Sequence, residues 1–343
     1  MDIFIGLLII TFGSLLQSSS YVPIKKVKNW SWESFWLVQG IFAWLIFPLI
    51  GTLLVLPTDY SFLSLFQPSD SSGLMPMMYG LLWGVGNLTF GLSMRYLGVA
   101  LGQSIALGTC SAFGTIIPAL MAGKDLFKGE GLILLIVVSV AIAGITVIGF
   151  AGSLRSQNMT EEQKKAAIKD FAFSKGIFVA IMAGAMSACF SLGIEAGQTL
   201  KTELINSGVI DLFAGLPTIF MITLGGFITN AAYCLFKNYK NKSFADYTSS
   251  SKNMLLNNLA FCILAGGLWY SQFICFEMGK SFFSTSDIML AFSWSILLSL
   301  NIIFSNVWGI LLKEWEGVSK KTVVVLITGI LLLIFSLVLP NLL

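Results

Sequence analysis

The chain has 343 residues, 56% of them hydrophobic and only 11% charged, with a formal net charge of +3 and no histidine. A soluble domain cannot hide that much apolar surface, and so small a charge spread over many loops leaves no footprint for nucleic acid. Without histidine there are no His-built zinc sites, no Ser-His or Cys-His nucleophiles and no imidazole relay, so neither an enzyme nor a resident cofactor is expected.

A hydrocarbon core of ~30 Å takes ~20 apolar residues per helix. Apolar runs at 3–22, 35–56, 74–95, 98–122, 131–151, 175–197, 209–236, 254–278, 286–312 and 321–340 predict ten transmembrane helices in an all-α integral membrane protein. The first run follows Asp2, lacks a small-residue cleavage site and precedes Lys25, Lys26 and Lys28. It is therefore expected to be a retained span, not a signal peptide. Thr11, Ser14, Ser18 and Tyr21 share one of its faces, with Gln17 beside them. Thr11 and Ser14 are expected to bond back to their own helix; Gln17 and Tyr21 are candidates for substrate contact.

Trp30, Trp32, Trp36 and Trp315 fall near predicted inner helix ends, where indoles form an interfacial belt. In span three, Gly80, Gly84, Asn87 and Gly91 recur at i, i+4, i+7 and i+11 and so lie on one face. That face reads either as a small-residue packing seam bonded through Asn87, or as one that leaves Asn87 and Trp83 on a cavity. Arg95, at its inner end, is an anchor or an inner-gate residue.

The strongly polar stretch 153–174 holds Glu161, Glu162, Lys164, Lys165 and Lys169. Thr160 and Gln163 have capping-box spacing within it. It separates residues 1–152 from 175–343, with five spans on either side. An odd number of spans per half inverts the second half, the arrangement of a 5+5 inverted repeat with a site near the membrane midplane. Gly80-Leu81-Leu82-Trp83 echoes Gly266-Gly267-Leu268-Trp269, and Lys124-Asp125 echoes Lys313-Glu314.

Span six carries Ser187, Ser191, Glu195 and Gln198. Span eight places Tyr270 and Glu277 seven residues apart, with Trp269 and Gln272 nearby. In span nine, Asp287, Trp294, Asn301 and Trp308 repeat every seven residues beside Ser293 and Ser305, a stripe that predicts a water-filled pathway. Cys110, Cys189, Cys234, Cys262 and Cys275 lie in apolar runs with no C-x-x-C spacing and are expected to pack as free thiols. Of the 20 Lys and Arg, only Lys124, Lys128, Lys201 and Lys280 fall in loops of one side. By the positive-inside rule that side is outside, and both termini lie there.

Indoles and amides together suit a neutral polyol, whose apolar ring faces stack on aromatics while amides serve its hydroxyls. The candidate substrate contacts are Gln17, Tyr21, Trp83, Asn87, Trp269, Tyr270, Gln272, Trp294 and Asn301. Glu195, Glu277 and Asp287 lie toward outer helix ends, either as solvated interfacial acids or as proton carriers. No Walker-type G-x-x-x-x-G-K-[ST] occurs, which argues against ATP-driven transport.

Several segments, taken in order, resemble one family. They are Tyr21-x-Pro23-x-Lys25-Lys26-Val27-Lys28-x-Trp30-Ser31-Trp32-Glu33, Trp83-Gly84-x-Gly86-Asn87, Gly91-Leu92-x-Met94-Arg95-Tyr96-Leu97-Gly98, Gly267-Leu268-Trp269-Tyr270-x-Gln272-Phe273 and Leu312-Lys313-Glu314-Trp315. Together they are similar to the L-rhamnose–proton symporter family of the drug/metabolite transporter superfamily. The resemblance implies a secondary active transporter that takes up a deoxy-sugar with protons through a bacterial inner membrane, with sugar, protons and lipid as its partners. The sequence departs from the family's pattern in having carboxylates at Glu195 and Glu277, where the family has an amide and a small apolar residue, and in lacking histidine. The competing readings are a metabolite or drug exporter of the same superfamily, a sodium-coupled or uncoupled sugar carrier, and a non-transporting sugar sensor.

Overall fold

The computed structural model describes residues 2–66, 73–97, 99–157, 173–248, 251–313 and 315–342. The centre of the polar stretch, with Thr160 and Gln163, lies outside the described residues, as do Glu314 and the side chain of Arg95. Everything described is helix, turn or connecting coil. In lipid each backbone N–H and C=O must find its partner within the span, and a helix achieves this from one segment alone.

The helices are α1 (Asp2–Ser19), α2 (Trp32–Val55), α3 (Met75–Leu97), α4 (Val99–Met121), α5 (Gly129–Gln157), α6 (Phe173–Ala196), α7 (Gln198–Asn206), α8 (Leu216–Asn241), α9 (Lys252–Ser281), α10 (Asp287–Leu311) and α11 (Lys320–Val338). Among the described residues, nine helices are long and apolar enough to cross a membrane. The expected third span exists as the 23-residue α3 but is not one of the nine. Its glycines, with Asn87, Thr89 and Ser93, dilute the apolar side chains.

The chain forms two compact units, and each takes helices from both halves of the sequence. The first comprises Met1–Gly84 and Gly193–Phe282, and the second Val85–Leu192 and Phe283–Leu343.

In the first unit α1 runs along α9 through small residues. A Cβ on Gly13 would stand 2.5 Å from that of Cys275, and one on Gly279 would meet Ile10 and the Gly6 carbonyl. Midway, α2 widens into a π-helical segment over Ile41–Ile46 before it resumes at Phe47. Pro48 supplies the reason, since it has no N–H for the carbonyl one turn back and its ring crowds that turn. Gly266 of α9 packs directly on this widened turn, where a Cβ would lie 2.9 Å from the Ala43 nitrogen. The early part of α3 meets α8 backbone to backbone: Gly80 faces Ile222, and Gly84 faces Gly226 and Thr229. The packing seam read from Gly80 and Gly84 is therefore real. It does not extend to Gly91, which is exposed and where an added Cβ would meet nothing within 4 Å.

Span seven begins later than the sequence suggests, at Leu216, because Pro217 suits a first helical turn and 207–215 folds into turns. The residues before it form α7, whose Leu200 and Leu204 point into a cluster with Leu65, Val209, Phe220 and Met221. That i, i+4 apolar pair is what makes so short a helix worth forming.

In the second unit α5 packs on α4 and α11, and α10 on α4 and α5. Gly144 and Gly329 bring α5 and α11 together. The N-termini of α9, α10 and α11 are capped by Ser251, Ser286 and Ser319, each of whose hydroxyls accepts a backbone N–H three residues on. All five cysteines are free, and only Cys275 is not fully buried.

Candidate functional site

The first unit contains a chain of indoles. Trp44, raised from the π-helical turn and 3% exposed, makes edge contacts with Trp36 at 5.5 Å, Trp83 at 5.9 Å and Trp269 at 6.1 Å. Trp83 and Trp269 stack at 6.0 Å with planes 28° apart, and Trp269 also meets Phe273 at 5.0 Å. Rings come this close because the backbone yields: Gly226 leaves room for the six-membered ring of Trp83, and Gly40 for that of Trp44. Asn230 of α8 fixes one end, accepting from Trp36 Nε1 at 3.0 Å while its own amide donates to the Gly226 carbonyl at 2.9 Å.

Trp44 Nε1 has no hydrogen-bond partner among the described residues, and neither do Gln39 Oε1 and the Tyr270 hydroxyl. All three atoms are buried. Leaving such groups unpaired costs roughly 1–3 kcal/mol each. A structure that keeps them has polar capacity to offer a ligand.

At one end of α9 sits a buried carboxylate, Glu277, with 1% of its side chain exposed. Lys201 of α7 approaches one of its oxygens at 3.6 Å and Lys280 the other at 4.0 Å. Neither oxygen accepts a hydrogen bond among the described residues, so the group is held by charge alone. Ile194, Gly197, Gln198, Gly215 and Thr218 also line the space around it. A Cβ on Gly215 would collide with the carboxylate itself.

The second unit holds its own aromatic–hydroxyl cluster. Trp294 stacks on Phe190 at 5.6 Å and 14°, with its Nε1 edge over Gly114. Beside it Ser191 donates to the Gly114 carbonyl at 2.6 Å. The Ser295 hydroxyl is within 2.7 Å of Ser111 and 2.8 Å of Thr115.

The residues singled out from sequence divide between the units. Gln17, Tyr21, Trp83, Glu195, Trp269, Tyr270, Gln272 and Glu277 belong to the first, and Asn87, Asp287, Trp294 and Asn301 to the second. Trp83 and Trp269 touch; Tyr270 and Glu277 share α9 and both are buried. Gln17 is buried and accepts from Ser18 at 3.3 Å, and Gln272 donates to the Trp269 carbonyl at 3.0 Å. Tyr21 is exposed (53%). Asn87, Asn301 and Glu195 are half-buried. Asp287 is exposed in the first turn of α10, where a carboxylate complements the helix dipole.

Trp36, read as a belt residue, is instead tied to Trp44 and Asn230. Trp44 itself escapes a reading of the sequence, because it stands in an unbroken apolar run with no polar neighbour to mark it. Asn230 and Lys201 escape it as well. The one available signal for Lys201 is its rarity, as one of only four cations on its side of the charge count.

A family model described as L-rhamnose-proton symport protein (RhaT) matches residues 1–342. Proteins named L-rhamnose-proton symporter from Yersinia pestis (strain Pestoides F) and Yersinia pseudotuberculosis serotype O:1b (strain IP 31758) are 33% identical over 341 residues, 97% of this chain and 96% of theirs. One of the same name from Yersinia pestis bv. Antiqua (strain Antiqua) is 32% identical over 340 residues. The chain belongs to the L-rhamnose–proton symporter family.

Proposed function

We propose that this family member imports L-rhamnose, or a closely related deoxy-sugar, together with protons across a bacterial inner membrane by alternating access. The observation that carries the sugar reading is Trp44. Its indole N–H is buried and unpartnered among the described residues, and it stands among the ring faces of Trp36, Trp83 and Trp269. A deoxy-hexose offers both things such a group lacks: a hydroxyl to accept the N–H, and C–H faces to lie on the rings. Trp44 therefore joins Gln17, Tyr21, Trp83, Asn87, Trp269, Tyr270, Gln272, Trp294 and Asn301 as candidate sugar contacts.

Of the three acids, Glu277 is the proton carrier in this reading. It is buried, with the Lys201 and Lys280 ammonium groups at 3.6 and 4.0 Å from its oxygens. Glu195 is the next candidate, and Asp287 serves its helix end. The finer topology follows from the charge count: ten spans in a 5+5 inverted repeat, with residues 153–174 inside and both termini outside.

The test is uptake of radiolabelled L-rhamnose by proteoliposomes, with and without an acid-outside pH difference. Accumulation that requires the gradient supports the reading. Broad-substrate efflux would support export instead, and a sodium requirement would replace the proton.

A further inference from the structure

We infer that Lys201 is a mobile counter-charge, handed between Glu277 and Asp211 as the transported proton comes and goes; this rests on Glu277 being the proton carrier. Lys201 is poised between two acids of opposite character. Its ammonium is 3.0 Å from Asp211, which is half exposed at 50%, and 3.6 Å from Glu277, which is closed off at 1%. The lysine itself is 14% exposed, so it is held at the boundary between water and the buried acid.

The other groups around Glu277 do not take this role. Lys280 is at 4.0 Å and already lies over the Phe276 ring at 5.3 Å. Tyr270 lies two turns back on the same helix, and besides Lys201 the described residues that α7 and α8 bring to this space are the neutral Gln198 and Thr218. Where α1 packs on this end of α9, it brings Gly6 and Ile10. Gly215 has no side chain to hold the carboxylate still.

The step balances simply. A proton from water adds to a Glu277 oxygen and forms an O–H bond, and the acid becomes neutral. Lys201 keeps all its protons and its charge, and it settles on Asp211, which already binds it at hydrogen-bond distance. When the proton returns to water, Lys201 is drawn back. Asp211 thus gives the lysine somewhere to go while Glu277 is neutral. It is a positioning residue, as is Lys201.

Two substitutions should move the pH profile in opposite directions. In Asp211→Asn the lysine has only Glu277 to pair with, so half-maximal uptake requires about ten-fold more protons, one pH unit toward acid. In Lys201→Met the buried acid loses its nearer cation and holds its proton, so half-maximal uptake moves at least about one unit toward alkaline pH or becomes insensitive to it. Lys201→Arg, which retains the charge, should stay between them. The measurement is initial sugar uptake into proteoliposomes over a series of external pH values, alongside Glu277→Gln.

Opposite shifts uphold the handover. Midpoints that stay put or move together overturn it, and if Lys201→Met does not fold, an unmoved midpoint in Asp211→Asn does so alone. These outcomes are distinct from failure of the underlying reading, which would show as undiminished pH-driven accumulation in Glu277→Gln.

Discussion

Substituting Gly226 by Ala tests the indole cluster without touching a ring. The new methyl would overlap the six-membered ring of Trp83, and comfortable carbon contacts need about 3.5–4.0 Å. The ring must therefore retreat by more than ~1 Å at normal contact distances. It has little room: Trp44 and Trp269 stand 5.9 and 6.0 Å away, and the Gly80–Ile222 seam prevents α3 from sliding. Nor can α8 yield easily, since Asn230 ties the Gly226 carbonyl to Trp36. Overpacking of this kind costs about 1–3 kcal/mol, which lowers the melting temperature in detergent by on the order of 2–6 °C. Displacing Trp83 should also raise the KM for sugar about ten-fold, equivalent to about 1.4 kcal/mol of binding. Trp83→Phe removes the ring that collides, so Gly226→Ala should cost less in that background, with a coupling energy on the order of 1 kcal/mol. A native melting temperature and KM in Gly226→Ala, or strict additivity in the double mutant, would refute the reasoning.

Trp44→Phe deletes a buried donor with no partner among the described residues, so stability should hold or rise by up to about 1 kcal/mol, while sugar affinity falls about ten-fold from loss of the hydrogen bond; a thermal melt and a KM measurement separate the two. Trp294→Ala removes a ring stacked on Phe190 and should lower stability by about 3–5 kcal/mol as well as abolish uptake, which Trp294→Phe should largely restore on both measures. Gly80→Ala forces α3 from the α8 backbone and should lower the melting temperature more than Gly91→Ala, where nothing is met. At the turn after α8, burial pulls the Asp246 pKa upward, but hydrogen bonds from Ser31 and Ser34 outweigh it and hold the pKa below its ordinary value. Its stabilisation is therefore complete above the unfolded carboxyl's range, near ~4, and is lost as pH falls through the lower folded value. Asp246→Asn should flatten that acid limb in a melt-versus-pH series.

Much of the helical layout was legible because lipid enforces it: runs long enough to span became helices, with edges off by a few residues. Glycine spacing at Gly80 and Gly84 told of close approach, since only a missing Cβ permits backbone contact there. What the 3.6-residue period could not register was a turn that leaves it, and the widening at Ile41–Ile46 is what raises Trp44 among the other indoles. Pro48 was the only clue. Trp83, Trp269, Tyr270 and Glu277 could be found because polar or aromatic groups inside an apolar span stand out. Lys201 could not, because hydropathy assigns a lysine to a loop and says nothing of the acid it will cover. The grouping of helices into two units drawn from both sequence halves also depends on tertiary contacts that no local pattern encodes.

Uptake of labelled L-rhamnose into proteoliposomes under an imposed pH difference bears most directly on sugar–proton import. Coupled import predicts accumulation above equilibrium when the outside is acid, and collapse of that gradient on adding a protonophore. Accumulation indifferent to the protonophore, or no rhamnose uptake at all while another solute is driven outward, would contradict it.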